Sequence, residues 1–272
     1  MLDWIVPDSI TVSPTVYIVL TMCATLLIGF SKAGFGGGIG VLATPLFLIA
    51  LPDQSHIALS LILPLLIVCD IATLRHFPKE WHPRSYWLLL GGTILGLGVG
   101  LYFLLLFSRK DVDGDRWIRL IVGVVSILFC VMKIIPRKTK KELFEPGWKT
   151  GTLVGVLAAF TSMVAHAAGS LISMFLLPQK LDRRIFVGTC TRYFLTLNLL
   201  KVPCYLLATA LSEGKDYITF STLKWDLWLI PFGIAGVAFG AWLNKRMDGK
   251  IFTAIIYIFL AIAGVRMIYT SI

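Results

Sequence analysis

The chain has 272 residues, is 57% hydrophobic, and carries a net charge of +10 with a mean hydropathy of +0.83. No soluble domain of this size needs so much apolar surface, and continuous rather than alternating apolar runs exclude a membrane β-barrel. The composition points to an all-α polytopic membrane protein whose basic excess is loop charge and calls for no nucleic acid.

The N-terminus holds Asp3 and Asp8 and no basic residue, so a cleaved signal peptide is not expected. Eight hydrophobic segments follow, at roughly 14–51, 57–75, 85–107, 117–135, 149–178, 186–211, 225–243 and 251–271. The first opens at Ser13-Pro14, a cap followed by proline at the first helical position. It is too long for one crossing of about 20 residues. Gly29, Gly34, Gly36, Gly37, Gly38 and Gly40 interrupt it. The fifth segment, about 30 residues long, breaks around His166-Ala167-Ala168-Gly169-Ser170 and cannot cross twice. A half-length arm, a break at mid-membrane and a return arm fit it: a re-entrant hairpin, tolerated where the broken backbone is buried or lines a cavity. Trp81, Trp87, Trp117, Trp148, Trp225 and Trp242 sit near segment ends, as an aromatic belt requires. Gly91, Gly92, Gly96, Gly98 and Gly100 in the third segment read as a close helix-packing face. Cys23, Cys69, Cys130, Cys190 and Cys204 form no CxxC pair and read as small packing residues.

Loop charge supports hairpins. If the first and fifth segments return to their starting side, the inside loops hold fifteen Lys and Arg and the outside ones five. With single crossings the best split is eleven to nine. Both termini then lie outside. Each half has one hairpin plus three crossings, so the halves, 1–135 and 149–272, form an inverted repeat joined by the basic cytoplasmic linker 136–148.

A hairpin break at mid-membrane exposes helix-end N–H groups that attract anions. The first break offers Ser31, Lys32, Gly34, Gly36 and Gly37; the second offers His166, Gly169 and Ser170. Lys32 lies far from both segment ends, so a functional cation outweighs a snorkelling one. His166 reads equally as a ligand or proton relay and as a helix-to-helix hydrogen bond. Asn198 and Lys201 share one helical face in the sixth segment, open to function or to structural pairing, with Arg192 nearer its inner end. Asp70 reads as a structural ion pair with Arg75 or one of these cations; Arg119 and Arg266 read as snorkelling. The glycines do not form a phosphate-binding loop, because no Gly-Lys-Ser/Thr follows.

The stretch Gly29-Phe30-Ser31-Lys32-Ala33-Gly34-Phe35-Gly36, with Thr44-Pro45-Leu46 after it, resembles the first signature of the TauE/SafE sulfite exporter family. Ser162 to Gly169, Ser173 to Lys180, Phe186 to Thr189, and Asn198-Leu199-Leu200-Lys201-Val202-Pro203 are similar to its later blocks. Ala33, and Ala168-Gly169-Ser170, depart from the family's usual Gly and Gly-Gly-Pro. The resemblance implies a secondary transporter exporting sulfite or organosulfonates such as sulfoacetate across the inner membrane by alternating access, with no cofactor or metal. Its expected partners are a small sulfur-containing anion and membrane lipid; the sequence leaves a homo-oligomer open. Uptake of thiosulfate or another oxyanion, and a passive anion channel, are the alternatives. An intramembrane enzyme is not expected, since the segments offer one His and one Asp far apart.

Overall fold

The computed structural model describes residues 5–7, 10–37, 40–134, 146–212, 215–244 and 250–272, with the side chains of 133–134 and 250–256 left aside. Gly38 and most of the expected linker lie outside the described residues. Every element among the described residues is helical. In chain order these are α1 (Pro14–Phe35), a 3-10 turn (Gly40–Leu42), α2 (Ala43–Ala50), α3 (Ser55–His76), α4 (Pro83–Phe107) and α5 (Gly114–Ile134). Then follow α6 (Trp148–Ala165), α7 (Ala168–Leu176) with a 3-10 turn (Leu177–Gln179), α8 (Arg183–Leu211), α9 (Phe220–Asp226), α10 (Ile230–Asn244) and α11 (Lys250–Tyr269). Helices α1, α3, α4, α6 and α8 are each long and apolar enough to cross a membrane, and the α9–α10 pair, bent by 48°, makes a sixth. All eight expected segments thus appear as helix, three of them broken.

Local chemistry sets the ends. Ser13 accepts a hydrogen bond from the Val16 N–H and Pro14 opens the first turn. α1 stops at Gly36, which adopts the left-handed conformation at φ 62°. Its N–H donates to the Lys32 carbonyl, the bond of a left-handed helix end, and that of Gly37 closes the Ser31 carbonyl. α6 stops in the same way. His166 takes φ 49°, with its N–H on the Ser162 carbonyl and that of Ala167 on the Thr161 carbonyl. Lys32 and Ser162 therefore hold equivalent places before two equivalent breaks. The arms are unequal, not half and half: 22 and 18 residues before the breaks, 8 and 9 in the helices after them. The first arms are about 33 and 27 Å long at 1.5 Å per residue, because the left-handed residue comes late in each segment.

Two glycine-lined pairs form the frame. A Cβ on Gly29 would sit 2.1 Å from the Gly233 carbonyl oxygen, and one on Gly236 2.3 Å from that of Leu26. α1 and α10 thus run side by side in the same direction, backbone on backbone. α4 and α6 do likewise: a Cβ on Gly92 would fall 2.0 Å from the Thr152 oxygen and one on Gly155 2.0 Å from that of Leu89. The expected packing face of α4 consists of Gly92, Gly96 and Gly100; Gly98 points to open space.

Loop contacts define two ends of the bundle. At one, Arg119 pairs with Asp53 at 2.7 Å, the Ser55 N–H donates to Asp115 at 2.6 Å, and Ser108 shares a 2.8 Å hydrogen bond with Tyr217. At the other, Ser85 donates to Gln179 at 2.5 Å and the His82 N–H to Thr189 at 2.8 Å. There Arg184 reaches Glu80 at 2.6 Å and holds its exposed carboxyl below the usual carboxylate range. Gly151 near the start of α6 packs on Leu88, and Gln179 after α7 meets Ser85. Both ends of the α6–α7 segment therefore lie against the first turns of α4. Outward, Trp87, Ile94, Leu95, Tyr102 and Trp148 are exposed, while Lys32, Asp70, Asn198 and Lys201 are buried. That inversion of soluble-protein order suits a chain whose solvent is lipid.

Gly92→Ala should lower stability by about 1–3 kcal/mol through overpacking, whereas Gly98→Ala should be neutral or slightly stabilising. Thermal unfolding in detergent measures both; equal melting temperatures would contradict this packing.

Candidate functional site

The two breaks meet. A small cavity between them is lined by Lys32, Gly37 and Gly40 from the first and by Ser162, His166, Ala168 and Gly169 from the second, with Ile28, Leu66, Phe194 and Asn198 completing the wall. Thr44 of the first return arm donates to the Ala165 carbonyl at 2.8 Å, tying the breaks together. The space is about 30 Å³, room for about two waters.

Lys32 enters from the last turn of α1. Its ammonium lies 2.5 Å from Asp70 Oδ1 and 5.2 Å from the centre of the Phe194 ring. Asp70, on α3 and fully buried, accepts a second hydrogen bond from Asn198 Nδ2 at 2.8 Å. Its hydrogen-bonding partners are thus one cation and one amide from other helices, Lys32 and Asn198, rather than Arg75.

Lys201 stands one layer behind the cavity. Its Nζ donates to the Ser162 carbonyl at 3.0 Å, to Ser162 Oγ at 3.2 Å and to His166 Nδ1 at 2.8 Å. Three acceptors match the three N–H bonds of an ammonium. On its other side, His166 Nε2 lies 2.9 Å from the Leu59 carbonyl oxygen. A carbonyl only accepts, so Nε2 carries the proton and Nδ1 is the acceptor. With His166 neutral, Lys32 and Lys201 outweigh Asp70 by one charge.

The structure separates the sequence candidates. It brings Lys32, Gly37, His166, Gly169 and Asn198 to the cavity wall and Lys201 directly behind it. Ser31 is buried, its carbonyl taken by the Gly37 N–H. Gly34 packs near Gly240, and Gly36 against Phe186 and Cys190. Ser170 shares a hydrogen bond with Tyr257. Arg192 is spent elsewhere: it donates to the carbonyls of Phe77, Pro78 and Glu80 and stacks over Trp81, pinning the α3–α4 connection to α8. Arg119 pairs with Asp53, where snorkelling alone was expected.

The expected ion pair of Asp70 is found, with Lys32 as the partner among the cations considered rather than Arg75. Sequence reasoning missed two contributors. Phe194 and Thr44 carry no signal of their own, since aromatic and hydroxyl residues are ordinary in apolar helices.

Lys32→Met leaves Asp70 buried without its cation and should cost about 3–5 kcal/mol; adding Asp70→Leu should recover most of it. Thermal melts of the single and double variants in detergent decide this, and equal instability of the two would show the pair to be uncoupled.

The sequence model of the family described as Sulfite exporter TauE/SafE matches residues 21–267. No curated protein and no solved structure matches significantly.

Proposed function

The chain belongs to the sulfite exporter TauE/SafE family and is a multi-pass membrane transporter of that type, and from this premise we propose that it exports sulfite or small organosulfonates such as sulfoacetate across the inner membrane. The observation that carries the reading is the cavity shared by the two breaks, with Lys32, Ser162, His166 and Asn198 on its wall and Lys201 behind it. A sulfonate or sulfite presents three oxygens to N–H and O–H donors, and cations held in a low dielectric favour an anion.

Alternating access is proposed to work about this cavity. The equivalent breaks at Gly36 and His166 support an inverted repeat of 1–135 and 149–272, as do the matched pairs α1·α10 and α4·α6, each joining one half to the other. Return of the second broken segment to its starting face is supported by Gly151 on Leu88 and Gln179 beside Ser85. Sliding of the α1·α10 unit against the α4·α6 unit would open the cavity to one face and then the other. The face carrying Arg75, Lys79, Arg84, Lys149, Lys180, Arg183 and Arg184 is proposed as cytoplasmic, with both termini on the opposite side.

The test is export from proteoliposomes loaded with sulfite or sulfoacetate. Saturable efflux is expected, reduced about tenfold or more by Asn198→Ala and Lys201→Ala, about the cost of one charged hydrogen bond. Efflux that rises linearly with concentration, with a conductance in planar bilayers, would instead mark a channel. Efflux indifferent to both substitutions would displace the site.

A further inference from the structure

The cavity's leading cation is already occupied by an internal anion. Asp70 holds Lys32 through one carboxylate oxygen and Asn198 through the other. Lys32 and Asn198 line the cavity; Asp70 sits behind them. An anion approaching these two donors therefore meets groups whose hydrogen-bonding capacity is engaged and a like charge at close range. Two anions cannot share one ammonium in a low dielectric without a large penalty, which is lifted when one of them is neutralised.

Protons have few places to go. His166 is closed as a second acceptor, because Nδ1 faces the Lys201 ammonium and Nε2–H faces the Leu59 carbonyl. Protonating Nδ1 would set two donors against each other. The groups acting on Asp70 are Lys32 from α1 and Asn198 and Lys201 from α8, with Cys69 beside it on α3 itself. The other helices on α3 add nothing close by: α2 and α10 contain no titratable side chain. In the first turns of α5, Asp115 and Arg119 meet Ser55 and Asp53 at the far end of α3. Lys224 and Asp226, on α9, are not among the groups acting on Asp70.

We propose that Asp70 is the proton-coupling residue: it takes up one proton as the anion binds, releases Lys32 and Asn198 to the anion, and gives the proton back when the anion leaves. The charge balances, since the ion pair Lys32–Asp70 plus an anion and a proton becomes the pair Lys32–anion plus a neutral carboxylic acid. One proton then travels with each anion in the same direction. This rests on the anion-site reading above and assigns Asp70, not His166, as the titrating group.

The experiment uses purified full-length protein and methanesulfonate, which stays ionised across the range, so only the protein titrates. Binding is measured from pH 5.5 to pH 8. Wild-type affinity should weaken with rising pH, approaching tenfold per unit for one linked proton. Asp70→Asn should bind at least as tightly as wild type at acid pH and show no pH slope, while His166→Gln should keep the slope. A second readout needs no variant: adding methanesulfonate to weakly buffered wild type should draw about one proton from solution per anion bound. An unchanged slope in Asp70→Asn, or binding without proton uptake, overturns the coupling while leaving the anion site standing. No binding by wild type at any pH overturns the anion site and the coupling with it.

Discussion

A helix that stops inside a packed bundle must find protein partners for the backbone groups it leaves open, because buried surroundings offer no water. This requirement organises the centre of the molecule. At the end of α1, the Lys32 and Ser31 carbonyls are closed by the Gly36 and Gly37 N–H groups, and Asn244 at the end of α10 donates to the carbonyls of Ala33 and Gly34. At the end of α6, the Ser162 carbonyl takes the His166 N–H and Lys201, Met163 takes the Tyr205 hydroxyl, and Ala165 takes the Thr44 hydroxyl. Two residues of the cavity wall, Gly37 and His166, are therefore also among those that make the breaks tolerable. Site and scaffold share their atoms, and a substitution at Lys201 touches both.

The charges follow from the same placement. Lys32 stands one turn before its break and Ser162 one turn before the other. Opposite them, on the long helices α3 and α8, are Asp70 and Lys201. One half thus contributes an ion pair and the other a cation held by neutral acceptors. The excess of one positive charge arises from this asymmetry between otherwise parallel arrangements. His166 occupies the left-handed position that glycine fills in the first break, at a cost of about 1–2 kcal/mol for a residue with a Cβ. Its ring is gripped from both sides, by Lys201 and by the Leu59 carbonyl, and these bonds offset the strain.

Much of this was readable in the chain. Hydropathy located the long helices among the described residues, Ser13-Pro14 marked the first start, and the two small-residue clusters marked both breaks. The glycines of the third segment announced a backbone-to-backbone contact, now seen against α6. The lengths of the arms were not readable, because a run of glycines shows where a helix can end and not at which residue it does. Pairing was harder still. Sequence gives a residue's depth along its helix but not its azimuth, so Arg192 and Lys201, on one helix, looked like co-workers. In fact Arg192 turns to the α3–α4 connection and Lys201 to the cavity. Asp70 finds its cation 38 positions away in the chain, a distance at which no local pattern survives.

The claim on which all of this depends is that an anion binds between the two breaks, within reach of Lys32 and Asn198. Selenite has the shape and charge of sulfite and scatters X-rays anomalously, so its position in a crystal of the protein can be read directly. A single anomalous peak bordered by Gly37, His166, Gly169 and the Lys32 ammonium is predicted. A peak at either loop-covered end of the bundle, with the cavity empty, would contradict it.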